Sequence, residues 1–330
     1  MEPMSRRLAV RVAGSASARP GGAHRTAELV ERVTPRRDAA ETEQRTGIAS
    51  RHFAAPGSRA ADLGARVLRD ALLDAGLAGA HLRRLFFVSS AGGDQLAPAT
   101  ANLVAAELGL DGTCDCIDLN NACMGFLSAF DLAARSVATG VGPVGIVVVE
   151  LLSRYTTPHD ARPYLVLADA VAAVVLDAAR GDEGVLAAWL RNEGLAGGDI
   201  VLRHPGLTGQ RETFQFASSN KQMGENAILA IRRSTDAVLA AAGLRLDHVR
   251  WVLPHQPNGS MLAAIIRELG IDAQRVVQIV RDIGSVGAAS IATSLDHLRH
   301  GGRPRPGDHV LMVGVGAGIS YGAILLRVGA

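Results

Sequence analysis

Half of this chain is a copy of the other half, and that repeat restricts its fold more than any single motif. Leu85-Phe-Phe-Val-Ser-Ser-Ala-Gly92 has a counterpart in Val249-Arg-Trp-Val-Leu-Pro-His255 and the loop that follows. Ala105-Ala-Glu-Leu-Gly-Leu110 returns as Ile266-Arg-Glu-Leu-Gly-Ile271, and residues 114–140 return as 276–301. Residues 145–150 match 310–314, and 170–176 match 321–327. Gly109 to Gly270 and Gly140 to Gly301 span the same number of residues, so the register holds through the whole half. A period this long is not that of a solenoid. It implies two similar α/β units, residues 1–180 and 181–330, packed face to face with helices buried against each sheet. Ligands in such sheets favour the crevice where the halves meet.

Composition agrees with a large core. The 330 residues are 48% hydrophobic and 20% charged, enough for one big domain or two closely packed ones. A net charge of only +2 argues against a nucleic-acid partner. The three cysteines, Cys114, Cys116 and Cys123, are too few for a disulfide framework. Cys114 and Cys116 have no second Cys/His pair at zinc spacing, so no metal is expected. Arg11 interrupts an N-terminal apolar run too short for a signal peptide, and no run reaches bilayer length. A soluble, cytoplasmic protein without membrane contact is expected. Residues 8–14 read as a strand and 15–24 as a loop. Residues 58–76, 100–108 and 224–242 read as helices, 145–150 as a strand buried on both faces, and 193–222 as a surface excursion or lid.

The chemistry centres on Asp118-Leu-Asn-Asn-Ala-Cys123-Met-Gly-Phe126. A strand-like run ends here, and an Ala-, Leu- and Phe-rich helix, apolar nearly all round, continues to Gly140. A thiol at such a junction faces the positive end of the helix, which lowers its pKa and favours the nucleophilic thiolate. The competing reading is a buried core cysteine. In the second half, Leu253-Pro-His255-Gln-Pro-Asn258 closes a strand. His255 could face Cys123 across the pseudo-twofold axis, either holding a thiolate as an ion pair or passing a proton. Ile283-Gly-Ser285-Val-Gly287-Ala-Ala-Ser-Ile291 is a small-residue turn opening a helix. Val313-Gly-Val-Gly-Ala-Gly-Ile319 lies between two strands, which suits an oxyanion hole better than a dinucleotide site.

In this order, Arg-Thr-Gly-Ile, Asn-Ala-Cys-x-Gly-Phe, Pro-His-Gln-x-Asn, Gly-x-x-x-Ala-Ala-Ser-Ile and the final glycine run resemble the type III β-ketoacyl-acyl carrier protein synthases of the thiolase superfamily. The resemblance runs from Leu8 to Val328. It implies a thiolase-like αβαβα layered fold, a homodimer, and acyl transfer onto Cys123 with His255 as catalytic partner. The backbone N–H groups of Cys123 and Ala317 would form the oxyanion hole. Arg45, Arg162, Asn258 and Val315 fall at substrate-binding positions. No cofactor is implied beyond the acyl thioester substrate, carried by acyl carrier protein or coenzyme A.

The departures bear on the reaction. Malonyl-condensing members carry an asparagine in the Gly-Ser turn, where this chain has Ser285. A family phenylalanine is Val315, a tryptophan that stacks on coenzyme A falls at Glu41, and an arginine falls at Ser260. Losing one oxyanion donor costs about 2.7–4 kcal/mol of transition-state stabilisation. The expectation is therefore an acyltransferase of natural-product biosynthesis that passes the Cys123 acyl group to a carrier thiol, hydroxyl or amine. Acyl carrier protein is the expected partner. A decarboxylative condensing synthase and a non-catalytic partner subunit are the alternatives.

Overall fold

The β-branched runs become the middle strands of two mixed sheets in a computed structural model that describes residues 7–194, 198–217, 220–302 and 304–329. The first sheet is built from β1 (Val10–Ala18), β2 (Arg84–Val88), β3 (Asp115–Leu119), β4 (Val144–Leu151) and β5 (Asp169–Ala178), in the order β1-β5-β4-β2-β3. The second is built from β6 (Gly184–Asn192), β7 (Val249–Pro254), β8 (His309–Gly316) and β9 (Ser320–Arg327), in the order β7-β8-β9-β6. β2 runs parallel to β3 and β4, while β5 is antiparallel to β4 and β1. β7 is likewise parallel to β8, and β9 is antiparallel to β8 and β6. The strand order thus repeats, with β2, β4 and β5 in the places of β7, β8 and β9. The segment matching β3 contributes only an isolated bridge, Val252 with Val276.

The helices that frame the sheets are α1 (Ala39–Thr46), α2 (Ala60–Ala75), α3 (Thr100–Glu107), α4 (Gly125–Ala138), α5 (Asn220–Ala242), α6 (Gly259–Leu269) and α7 (Ala289–His297). α2 and α3 cover the outer face of the first sheet, where Leu68, Leu72 and Val104 join Leu85, Phe87 and Val147. α5 and α6 cover the outer face of the second, where Ile231, Val238 and Ile265 join Val252, Leu311 and Val313. Between the sheets lie α4 and α7. Their Phe126, Phe130, Ile291 and Leu295 share one core with Phe86 and Ile146 of the first sheet and Met312 and Ile324 of the second. Five layers result, αβαβα, with two helices apolar enough to be buried from both sides.

Three expectations need correction. Residues 15–18 continue β1 instead of starting a loop, and Gly22–Arg25 is a strand paired with Ser50–Phe53. Ser15 and Ser17 tolerate this because their hydroxyls donate to Asp296 of α7 at 2.8 and 2.6 Å. α4 is not apolar all round: Leu132 is 45% exposed, and Asp131 pairs with Arg135 on the same wet edge. α5 begins at Asn220, earlier than its apolar pattern suggests. The rest of the excursion holds a small antiparallel pair, Ile200–Val201 with Gln215–Phe216, and a single turn, Pro205–Thr208. Residues 195–197, 218 and 219 of that excursion lie outside the described residues. No helix among the described residues is long and apolar enough to cross a membrane.

Replacing Asp296 with alanine removes the acceptor of both serine hydroxyls and leaves Ser15 Oγ only its bond from Arg299. Asp296→Ala is expected to lower stability by about 1–3 kcal/mol, read as a shifted midpoint in denaturant unfolding.

Candidate active site

The turn after β3 is held from both ends by asparagines. Asn120 Oδ1 accepts the Ala122 N–H at 3.0 Å, and its Nδ2 donates to the Ser90 carbonyl at 3.3 Å. Asn121 Nδ2 donates to Ser128 Oγ of α4, and its Oδ1 accepts from Ser320 Oγ, both at 2.9 Å. These bonds keep Ala122 at φ 44°, a left-handed conformation that costs a non-glycine residue about 1–3 kcal/mol. Cys123 follows directly and leads through one tight turn into α4.

The end of β8 lies against this turn. A Cβ on Gly316 would sit 3.2 Å from both Cβ and N of Cys123. A Cβ on Gly314 would sit 2.9 Å from Met124 Sδ and 3.5 Å from His255 Cβ. Alternate residues of a strand face one side, so a single glycine face of β8 supports both the cysteine turn and His255. His255 itself is 2% exposed, and its N–H donates to the Val313 carbonyl at 2.8 Å. Its neighbour Gln256 locks the strand end: Oε1 accepts from Ile279 and Val280 N–H, and Nε2 donates to the Val277 carbonyl. His255 Nδ1 is buried without a hydrogen-bond partner.

Burial sets the protonation states. It pushes the Cys123 thiol up to about 12, helped by the nearby Glu150 carboxylate and opposed by the N–H groups of Ala317 and of Cys123 itself, which point at the sulfur. Burial also lowers His255 to about 4. At neutral pH the pair is therefore thiol and neutral imidazole. This corrects the expectation of a thiol lowered by its helix. A helix end contributes at most about 2 kcal/mol, whereas full desolvation shifts a group by up to about 3–5 units.

The other candidate residues separate into groups. Ser285 is 5% exposed, and its backbone is clamped by hydrogen bonds to Val166 and Ala168, so the Gly-Ser turn is anchored to the start of β5. Ala317 follows β8, where the glycine run makes the strand–turn–strand read from the sequence. Arg45 is exposed at the end of α1, where Ser260 Oγ of α6 donates to its carbonyl at 2.5 Å. Asn258 caps α6, accepting the Met261 N–H at 2.8 Å. Val315 turns away from the glycine face and packs with Ile319 and Tyr321 in the outer core. Arg162 donates to the Phe216 carbonyl and lies over its ring, against the excursion. Glu150 was not expected: buried at the end of β4, it accepts from Ser90 and Ala288. An acidic residue closing a run of valines was its only signal in the sequence. Among the described residues no group of three or more His, Cys, Asp or Glu could hold a metal ion.

A layered α/β fold with a cysteine at the head of its central helix, and a histidine on the same glycine face, defines a thiolase-like protein. Models of 3-oxoacyl-[acyl-carrier-protein] synthase III match residues 117–194, and models of its C-terminal region match residues 239–328. The β-ketoacyl-[acyl-carrier-protein] synthase III of Rhodospirillum rubrum is 31% identical over 322 residues, 96% of this chain and 98% of that protein. The 3-oxopimeloyl-[acyl-carrier-protein] synthase of Rhodothermus marinus is 34% identical over 293 residues, 86% of this chain and 84% of that protein. The crystal structure of the priming β-ketosynthase from the R1128 polyketide biosynthetic pathway superposes with a TM-score of 0.89 at 26% identity, covering 98% of this chain and 97% of that one. The chain belongs to the 3-oxoacyl-[acyl-carrier-protein] synthase III family.

The depressed His255 pKa has a sign that can be checked. The unfolded histidine takes its proton near 6.5 and the folded one near 4, so the contribution of this residue to stability is complete above pH 6.5 and is lost as pH falls toward 4. His255→Gln is expected to lose less stability than wild type between pH 7 and pH 4, measured by denaturant unfolding at each pH.

Proposed function

We propose that the chain is a condensing β-ketoacyl synthase that works through an acyl group on Cys123. The observation that carries this reading is the glycine face of β8, which seats Cys123 and His255 together while two N–H groups converge on the sulfur. Neutral His255 accepts the thiol proton as sulfur attacks an acyl thioester, and the N–H groups of Cys123 and Ala317 hold the oxyanion. The carrier thiol leaves with that proton. A malonyl thioester then loses CO2, and its enolate attacks the Cys123 acyl carbonyl; the C–S bond to Cys123 breaks, the β-ketoacyl thioester leaves, and the sulfur takes a proton from water to return to the thiol. His255, with Ser285 as the second donor, stabilises the enolate. The relatives' names favour this condensing reaction over simple acyl transfer.

One observation favours the second reading, an acyltransferase. Serine offers one short hydroxyl where an asparagine offers an NH2 group, and the Ser285 backbone is clamped too firmly to move it inward. In that case acylation of Cys123 persists and a hydroxyl, amine or second thiol takes the acyl group, as in natural-product assembly. With Glu41 and Ser260 in place of the residues associated with coenzyme A, we assign a carrier-protein thioester as donor. Arg45 and Arg162 would meet its phosphopantetheine arm. A cytoplasmic homodimer is the proposed working unit.

Incubation with acyl thioesters, followed by intact-protein mass measurement, is expected to show one acyl adduct that Cys123→Ala abolishes. An adduct unchanged by Cys123→Ala would overturn both readings. Release of CO2 from a malonyl thioester, lost in His255→Ala, separates the condensing reading from the transferase. Ser285→Asn is expected to raise that release by about 10²–10³-fold if the hydroxyl is the weaker donor.

A further inference from the structure

Glu150 is a buried carboxylate that the proposed reaction does not use. Its Oε1 accepts from Ser90 Oγ at 2.5 Å and from the Ala288 N–H at 2.9 Å, and its Oε2 accepts from the Ser90 N–H at 3.1 Å. Ala288 precedes α7, so the carboxylate occupies the end of the helix that follows the Ser285 turn. Gly287 leaves room for it, since a Cβ there would come within 2.8 Å of Oε1. From Ser90 the connection continues through its carbonyl to Asn120 and on to the Ala122 N–H, one residue before Cys123. One carboxylate therefore joins the nucleophile turn in the first half to the Ser285 turn in the second.

We propose that Glu150 is a positioning residue, which keeps these two turns in register and sets the negative charge that Cys123 faces. This rests on Cys123 being the nucleophile. Burial raises the Glu150 pKa to about 7, against the pull of its Ser90 and Ala288 hydrogen bonds, with the Asp169 charge adding to the rise. Across the β4–β5 pair Asp169 is the titratable neighbour, itself held by Ser153 and Ala54 and with Arg154 nearby. On the side of the cysteine turn it is Cys123. Above pH 7 Glu150 is ionised and opposes formation of the thiolate; below pH 7 it takes a proton and that opposition disappears. The carboxylate thus works as a pH-dependent brake on the nucleophile.

The test is the rate of Cys123 alkylation by iodoacetamide from pH 5 to 10, followed by peptide mass so that Cys114 and Cys116 are counted separately. In wild type the logarithm of the rate should rise with pH, pause near pH 7, and rise again. Glu150→Gln should abolish the pause and react about tenfold faster than wild type above pH 8, with equal rates below pH 6. Ser90→Ala, which removes one donor to the carboxylate, should move the pause to higher pH and serves if Glu150→Gln does not fold. For the positioning role, Glu150→Ala should slow acyl transfer at every pH, and Glu150→Gln, which keeps an acceptor oxygen, should slow it less. The same rate ratio at every pH, or no pause in wild type and Ser90→Ala, would overturn the proposal. A Cys123 that alkylates with this profile but takes no acyl group would instead overturn the proposed function.

Discussion

The whole site depends on how closely β8 can lie against the cysteine turn. A methyl group on Gly314 would push into Met124, and one on Gly316 would crowd Cys123, so the strand is bare where it passes them. That contact is possible only because α4 and α7 are clamped between two sheets, which brings the end of β3 in the first half to the end of β8 in the second. The same clamping supports the left-handed Ala122. A lone turn would relax such a residue, whereas here Asn120, Asn121 and Ser320 hold it from three directions. Packing of the layers and geometry of the cysteine turn are one constraint.

Much of this was legible in the residues. The repeat of Leu85–Val88 and Trp251–Pro254, and of the valine runs after them, carried the correspondence between the two sheets, because continuous apolar runs become buried strands whichever half they occupy. Cys123 and His255 stood out through their turns. Asn258, expected at a substrate-binding position, caps α6 with its oxygen on the Met261 N–H, a role that the resemblance did not supply. What was hidden depends on distant partners. Ser15 and Ser17 look like loop residues until Asp296, 281 and 279 positions away, accepts their hydroxyls. The thiol's protonation was misjudged for the same reason. A helix end is visible in sequence; the layers that partly bury Cys123 are not. Glu150 was missed because its donors, Ser90 and Ala288, come from opposite halves.

Ser285 separates what the backbone of a turn does from what its side chain offers. Its backbone makes the bonds that tie the turn to Val166 and Ala168, and the side chain takes no part in those bonds. A shared scaffold therefore does not by itself fix the last step of the chemistry, and Ser285, 5% exposed, is where the proposed readings diverge.

A neutral thiol has a further consequence. Peroxides and disulfides react with thiolates far faster than with thiols, and the first oxidised product, a sulfenic acid, needs a thiolate to form readily. With its pKa pushed to about 12, Cys123 is almost wholly protonated while it waits. The burial that raises the thiol's pKa thus also protects Cys123 from oxidation.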